Sequence, residues 1–213
     1  MGLDKEKAAI IEVCSGSLLP TYDGISGIVI TGSHAAVTEH EDWSKRTAEW
    51  LPGAVHRKIP LLGICYGHQL LAYAMGGKVG DNQNGLEFGT IDVKLHSAAK
   101  KDSLFHDMPN SISVHVSHSQ SVPRLPPDSC LLASSEMDQN HAFVVSDCAW
   151  GIQFHTEYDA KITIEYINNY KRVLREEGAN PDYLITNCSD TPYGTKLLKR
   201  FVQILKQHEA GPE

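Results

Sequence analysis

The sequence predicts an α/β protein of three layers, in which a doubly wound, mostly parallel sheet lies between helices on both of its faces. Short apolar runs rich in β-branched residues alternate along the chain with stretches of helical periodicity. The apolar runs are continuous and do not alternate with polar residues, which is typical of parallel strands buried on both faces. Together these observations favour a covered sheet over one with a solvated face.

Three strands are predicted in the first third of the chain, over residues 8–13, 27–31 and 60–64. Each of these apolar runs is followed by a turn or helix signal.

A helix is predicted between the second and third strands, over residues 41–57, where apolar side chains recur at helical spacing. Thr38 and Glu41 have the form of a capping box at its start. Pro52 lies inside the helix and should kink it or end it early, because proline lacks an amide donor and crowds the preceding turn.

The hydrophobic pattern of the sequence changes over residues 87–135. Polar and apolar residues alternate there in short segments that are separated by Pro and Gly residues. We interpret this region as antiparallel strands and loops inserted beside the parallel sheet. Residues 141–146 and 150–154 follow as a predicted strand pair that ends at His155.

Two helices complete the prediction. An amphipathic helix is expected over residues 159–177, closed by Gly178, and a last helix over about residues 191–208. We therefore expect one domain over residues 1–213, with residues 179–213 as a C-terminal helical extension.

Composition limits the functions that the chain can have. The 213 residues suffice for one ordinary domain and leave no room for a second large catalytic domain. The formal net charge is −7, and basic residues form no run longer than a pair, which argues against nucleic acid as a partner. No apolar stretch approaches the roughly 20 residues of a membrane span, and residues 1–7 lack the features of a secretory signal. We expect a cytoplasmic protein without membrane contact.

One of the five cysteines stands out by its local sequence. The five are widely spaced, with no C-x-x-C pair, and for most of them a buried structural thiol is the plain interpretation. Cys65 differs because an apolar strand runs into a helix at this residue, with Gly63 and Gly67 on either side. This pattern predicts a nucleophile elbow, in which the cysteine lies at a helix N-terminus that favours thiolate, and the Tyr66 amide can face an oxyanion.

A proton carrier for this nucleophile is predicted at His155. A thiolate that attacks an amide needs one, because the departing nitrogen must be protonated. His155 follows a predicted strand, and Glu157 lies two residues further on. In extended backbone these two side chains point to the same side, so the carboxylate can orient the imidazole while the other ring nitrogen faces the cysteine.

These two motifs carry a family resemblance. Gly63-x-Cys65-x-Gly67-His68-Gln69, with a distant Phe154-His155-x-Glu157, resembles the class I glutamine amidotransferases, and in particular the stand-alone proteins described as GMP synthase-like. The resemblance covers about residues 10–170 and implies a flavodoxin-like class I glutaminase fold.

The resemblance also implies an activity and further site residues. The activity is glutaminase-type amide hydrolysis through a γ-glutamyl thioester on Cys65, with release of ammonia and with neither a cofactor nor a metal. Gly32 is implied as the second oxyanion amide beside Tyr66, and Gln69 as a substrate contact. Ser117, His118 and Ser119 match the loop that holds the substrate's α-amino and carboxylate groups, largely through backbone.

The chain departs from the family pattern in three places. Thr156 stands where proline is usual, which should loosen the strand end without abolishing activity. Gln120 stands where the GMP synthase pattern has an aspartate that could attract an α-ammonium group. Gly32 comes early, so a central strand and its helix are expected to be missing. We interpret the chain as an N-terminally shortened form, in which a rearranged sheet or a partner chain satisfies ladder groups that would otherwise cost about 1–3 kcal/mol each.

Three functions therefore remain open. The first is a glutaminase that supplies ammonia to a separate synthase chain, since no phosphate-binding G-x-x-x-x-G-K loop is present. The second is a free-standing hydrolase of γ-glutamyl peptides or conjugates, which Gln120 favours. The third is a catalytically poor binding or regulatory protein. The last helix could pack on its own domain or in a homodimer, and no histidine spacing predicts a metal site.

Overall fold

A computed structural model describes residues 7–210 of the chain. The strands are β1 (Ile28–Ile30), β2 (Leu61–Ile64), β3 (Lys78–Asp81), β4 (Glu87–Leu95), β5 (Ser111–His118), β6 (Gln120–Arg124), β7 (Ser129–Ser134), β8 (Ala142–Val145) and β9 (Ala149–Ile152). The helices are α1 (Asp42–His56), α2 (Tyr66–Ala74), α3 (Ala160–Asn169), α4 (Lys171–Glu176), α5 (Pro181–Thr186) and α6 (Tyr193–Ala210). The parts of our predictions that fall on residues 1–6 and 211–213 lie outside the described residues.

Seven strands form one mixed sheet in the order β1-β2-β9-β8-β7-β4-β5. Only the β1–β2 and β2–β9 pairs are parallel, and the other pairs in this sheet are antiparallel. The prediction of a mostly parallel sheet is therefore wrong. Connection length explains the difference, because β8 and β9 are joined by residues 146–148 alone, and a parallel pair needs a crossover of about a dozen residues. The antiparallel strands predicted over residues 87–135 are confirmed.

Helices cover both faces of the sheet, as predicted. Leu61 packs in one core with side chains of α1 and α2. Its neighbour Leu62 points to the opposite face, into a second core that contains Leu197 and Phe201 of α6. The C-terminal helix thus packs on its own domain, and its buried stripe contributes to the core that supports β2 and β9.

The first predicted strand does not form. Residues 8–12 have no regular structure, Ile10 is 87% exposed, and a short 3-10 turn follows at Val13–Ser15. The predicted strands at β1 and β2 are confirmed. Among the described residues β1 pairs only with β2, and it therefore forms one edge of the sheet. A strand needs a hydrogen-bonded neighbour, and residues 8–13 have no such neighbour in this part of the chain.

Helix boundaries differ from the predictions in three ways. The predicted helix after β1 is confirmed as α1, but it continues four residues beyond Pro52 instead of ending there. The Glu39 carboxylate caps the preceding turn by accepting from the Ala36 amide at 3.3 Å, so the capping box proposed for Thr38 and Glu41 is wrong. The predicted helix over residues 159–177 is interrupted at Tyr170, which separates α3 from α4.

Two elements, β3 and α5, were not predicted. No helix within residues 7–210 has both the length and the apolar character that crossing a membrane requires.

Candidate active site

Cys65 occupies a strained turn between β2 and α2. Its backbone has φ 50° and ψ −102°, a conformation that a residue with a side chain rarely adopts. The Cys65 amide donates to the Ile152 carbonyl at 2.8 Å, and the Cys65 carbonyl accepts from the Gln69 amide at 3.2 Å. These bonds hold the strained conformation from both sides, which places the thiol at the N-terminus of α2.

The two glycines beside Cys65 allow backbone segments to approach closely. A Cβ atom on Gly63 would lie 2.4 Å from the Gly67 carbonyl oxygen, and a Cβ on Gly67 would lie 2.4 Å from the Ile30 carbonyl oxygen. Real Cβ atoms do not tolerate such contacts, so both positions require glycine for steric reasons. The predicted elbow geometry is confirmed.

The structure brings Cys65, His155 and Glu157 together. His155 lies just beyond the end of β9, where its amide donates to the His115 carbonyl at 2.8 Å. Its Nδ1 lies 2.7 Å from Glu157 Oε1, and the ring and Cys65 both lie beside Gly32. Cys65 and His155 are buried, at 7% and 6% exposure. The side chain of Glu157 is 41% exposed, so the carboxylate bridges the buried ring and solvent.

The surroundings of His155 favour its protonated form. Burial opposes the charge, but hydrogen bonds and charge interactions with Cys65 and Glu157 outweigh burial and raise the pKa of His155 to about 9. Tyr158 stacks on the imidazole with ring centroids 4.0 Å apart and planes 10° apart. The ring is thus held as a cation between a thiol, a carboxylate and an aromatic face.

Gly32 and Tyr66 both lie next to the Cys65 thiol. Gly32 follows β1 at the carboxyl end of the sheet, and a Cβ built on it would lie 3.1 Å from His155 Cε1 and 3.8 Å from Cys65 Cβ. Tyr66 is the first residue of α2, and the first amides of a helix have no partner within the helix. Both backbone positions are compatible with an oxyanion-binding role.

A cleft of about 610 Å³ opens over Cys65, and the segment from Ser117 to Gln120 forms one of its walls. The Ser117 carbonyl oxygen lies 4.0 Å from Cys65 Sγ. Gln69 also lines the cleft, but its Nε2 donates to the Gln120 carbonyl at 3.0 Å and to Gln153 Oε1 at 3.1 Å. Only the Gln69 Oε1 atom is left for a substrate.

The His118 side chain points away from a substrate and into a buried network. Its Nδ1 lies 2.9 Å from the Gln120 carbonyl oxygen, and its Nε2 lies 2.8 Å from Glu87 Oε2. His141 Nε2 donates to the same carboxylate oxygen at 3.0 Å, and the Ser135 hydroxyl donates to Glu87 Oε1 at 2.6 Å. The network anchors the cleft wall from behind.

Glu87 carries the negative charge of this network. Burial alone would raise its pKa, but the hydrogen bonds from His118 and His141 hold the pKa of Glu87 far below the ordinary range of a glutamate. The possible metal-ligand atoms of Glu87, His118 and His141 lie within 4.8 Å of one another, so these three side chains could also hold a divalent cation. Sequence spacing did not indicate this group.

Thr156 lies between His155 and Glu157 in the chain, at the position where the family pattern usually has proline. It is 3% exposed, and Gly194 in the first turn of α6 packs on its backbone. A Cβ on Gly194 would lie 2.8 Å from the Thr156 carbonyl oxygen. The C-terminal helix therefore covers the segment that carries His155 and Glu157, whereas the predicted loosening of this segment stays a prediction.

The sequence did not predict four of the residues near the site, namely Asp81, Asn82, Glu87 and Tyr158. Asp81 and Asn82 lie at the end of β3 and line the cleft beside Gln120. Nothing in their local sequence distinguishes them from an ordinary polar turn. Tyr158 could have been suspected from its closeness to the His155 motif.

Comparisons with known proteins agree with this fold. Residues 10–171 match the family model described as "Glutamine amidotransferase class-I". The chain is 32% identical over 188 residues to gamma-glutamyl peptidase 3 of Arabidopsis thaliana, covering 85% of this chain and 76% of the relative. It is 30% identical over 169 residues to the glutamine-hydrolyzing GMP synthase of Porphyromonas gingivalis, covering 78% of this chain and 32% of the relative.

A solved structure shows the same fold. A glutamine amidotransferase from Thermotoga maritima superimposes with a TM-score of 0.74 at 24% identity, covering 92% of this chain and 86% of that one.

Proposed function

The chain belongs to the class I glutamine amidotransferase family, and on that premise we propose that it hydrolyses γ-glutamyl amide bonds through a thioester on Cys65. The observation that carries this proposal is the contact between a cysteine in a strained elbow and a buried histidine whose pKa is raised to about 9. At neutral pH this histidine is a cation beside the sulfur, which favours a thiolate nucleophile and supplies a proton for the leaving amine.

The proposed reaction has two halves. The Cys65 sulfur attacks the γ-carbonyl carbon, and the Gly32 and Tyr66 amides stabilise the oxyanion. His155 gives its proton to the departing nitrogen as the C–N bond breaks, which leaves the thioester. A water molecule then loses a proton to His155 and attacks the thioester carbon. Collapse of this second intermediate releases the γ-carboxylic acid, which loses its proton to solvent, and restores the thiolate–imidazolium pair, with Glu157 orienting the ring throughout.

The nature of the leaving amine separates two candidate functions. A glutaminase releases ammonia, and in that case we expect a separate synthase chain to use it. A γ-glutamyl peptide or conjugate hydrolase releases a larger amine. The lining of the cleft favours the second candidate, because it extends from Cys65 to two aromatic side chains. Phe88 and Tyr170 lie along this cleft and offer contacts to a larger leaving group.

The relatives also support a γ-glutamyl substrate. One is named as a peptidase of γ-glutamyl compounds and the other as a synthase that hydrolyses glutamine, and the chain resembles both. The side-chain amide of glutamine is itself a γ-glutamyl amide, so the two names describe the same type of bond with different leaving amines. A γ-glutamyl peptide is our first choice of substrate and free glutamine our second.

Mass spectrometry after brief exposure to substrate tests the proposal. We expect a γ-glutamyl adduct on Cys65 of the wild type and no adduct in the Cys65→Ala variant. The Cys130→Ala variant removes an exposed cysteine that is distant in the chain, and it should carry the same adduct on Cys65 as the wild type. Comparing ammonia release from glutamine with amine release from γ-glutamyl peptides then ranks the two functions.

A catalytically poor binding or regulatory protein is the competing interpretation. It predicts that a glutamine-mimicking diazoketone alkylates Cys65 no faster than the other four cysteines. That result, together with the absence of an adduct, would contradict the proposed function.

A further inference from the structure

The structure contains polar groups at one end of the cleft that nothing in the proposed chemistry yet uses. Asp81, Asn82 and Gln120 line the cleft side by side, where β3 pairs with β6. Gln120 Nε2 donates to Asp81 Oδ1 at 3.2 Å and to Thr38 Oγ1 at 2.7 Å. Since an ionised carboxylate only accepts hydrogen bonds, the Asp81 contact fixes which end of the Gln120 amide is nitrogen.

This orientation leaves an unsatisfied acceptor in the cleft wall. Gln120 Oε1 is buried and has no hydrogen-bond partner among the described residues. A buried acceptor without a partner is unfavourable, so a ligand that supplies a donor here gains from pairing with it.

An unsatisfied donor lies beside it. Asn82 is 8% exposed, its Oδ1 accepts from the Asn84 amide at 3.0 Å, and its Nδ2 is buried without a partner in the described structure. The Asn82 amide donates to the Ser119 carbonyl at 2.8 Å, which ties this side chain to the wall that passes Cys65.

The charges that line the cleft are of one sign. Asp81 and Glu177 are its carboxylates, and none of the described residues that line it is a lysine or an arginine. Asp81 is exposed to the cleft, where its second oxygen can accept a further hydrogen bond. This end of the cleft therefore attracts a cation, and it presents two acceptors and one donor on neighbouring side chains.

We propose that Asp81 and Gln120 together bind the α-ammonium group of the γ-glutamyl moiety, while Asn82 donates to its α-carboxylate. This inference rests on the proposed function. The α-ammonium donates to Asp81 and to Gln120 Oε1, and the acyl chain runs along the Ser117–Ser119 wall toward Cys65. Gln120 is neutral, so the negative charge that pairs with the α-ammonium group comes from Asp81 on the neighbouring strand β3. Asp81 thus determines specificity for substrates with a free α-amino group.

Two matched substrates test the assignment, namely γ-L-glutamyl anilide and glutaryl anilide, which keeps the terminal carboxylate and lacks only the α-amino group. For Asp81→Asn we expect KM for the γ-glutamyl substrate to rise about 10- to 100-fold, the range expected on losing a hydrogen bond to a charged group, with kcat nearly unchanged. Neither parameter should change for the glutaryl substrate. Asp92→Asn, which removes an exposed carboxylate that does not line the cleft, should leave both substrates unaffected.

Several results would overturn the inference. An equal effect of Asp81→Asn on both substrates would indicate a merely structural role, and no effect on either would remove Asp81 from recognition. The affinities of the two anilides for the Cys65→Ala variant can be measured without turnover. We expect this variant to bind the γ-glutamyl anilide more tightly than the glutaryl anilide, and we expect the preference to disappear in the double variant Cys65→Ala, Asp81→Asn. A wild type that binds with this preference but never hydrolyses would refute the proposed function while supporting the subsite.

Discussion

Glu157 Oε1 lies 2.7 Å from His155 Nδ1, although the glutamate is partly exposed and the histidine is buried. The contact thus links the partly solvated carboxylate of Glu157 to the buried imidazole of His155. This arrangement stabilises the imidazolium without the desolvation cost of burying a second full charge.

The first prediction concerns this contact. Glu157→Gln should lower kcat about 100-fold, because the neutral amide neither fixes the tautomer nor stabilises the imidazolium, and partial exposure keeps the loss below the roughly 10⁴-fold of a buried serine-type triad. The measurement is the steady-state rate on a γ-glutamyl anilide. Glu177→Gln serves as a matched control, and a Glu157→Gln variant with wild-type kcat would remove Glu157 from the mechanism.

The second prediction is a pH dependence of stability. The pKa of His155 is raised from its usual 6.5 to about 9. A raised pKa means that the folded state binds the proton more tightly, so the stabilisation is complete below pH 6.5 and is lost as pH rises through 9. The wild type should therefore have a larger free energy of unfolding than the His155→Gln variant at low pH. This difference should decrease by roughly 2–4 kcal/mol as the pH rises over this window.

Urea unfolding of both proteins at intervals between about pH 6 and pH 10 measures this difference. A gap between wild type and variant that stays constant or widens with pH would contradict the prediction.

The third prediction concerns the elbow. Gly67→Ala should lower the free energy of unfolding by at least about 2 kcal/mol, because the new Cβ would press on the Ile30 carbonyl and separate β1 from α2. Gly80→Ala is the control, since a Cβ there meets nothing within 4 Å. Its urea midpoint should stay close to that of the wild type. Equal midpoints for the two variants would show that the close approach is not required.

The fourth prediction concerns the network behind the cleft wall. Glu87→Gln should cost about 3–5 kcal/mol, because it removes the charge that both His118 and His141 face. The depressed pKa of Glu87 places its stabilisation above pH 4.5, and that stabilisation is lost as pH falls below this value. The variant should therefore show a shallower decline of stability in acid than the wild type.

Acid unfolding followed by circular dichroism measures this decline. Asp92→Asn is a suitable control, because Asp92 lies on the same strand but is exposed. If Glu87→Gln and Asp92→Asn behave alike, the network contributes little to stability.

Local sequence was sufficient wherever the relevant residues are close in the chain. The elbow at Cys65 follows from a strand, a helix and two glycines that flank the cysteine, and the pairing of His155 with Glu157 follows from the two-residue repeat of extended backbone. The same local logic failed for residues 8–13, because an apolar run becomes a strand only where a neighbouring strand pairs with it.

What the sequence by itself determined is the elbow at Cys65 and the local spacing that sets Glu157 beside His155. Tertiary structure alone decided which distant side chains meet, namely Asp81 with Gln120, and Glu87 with His118 and His141. The physical reason is strand register. The pairing of β3 with β6 brings together side chains 39 positions apart, and that of β4 with β5 side chains 31 positions apart. Register is set by the packing of whole sheet faces and not by the residues that come to touch.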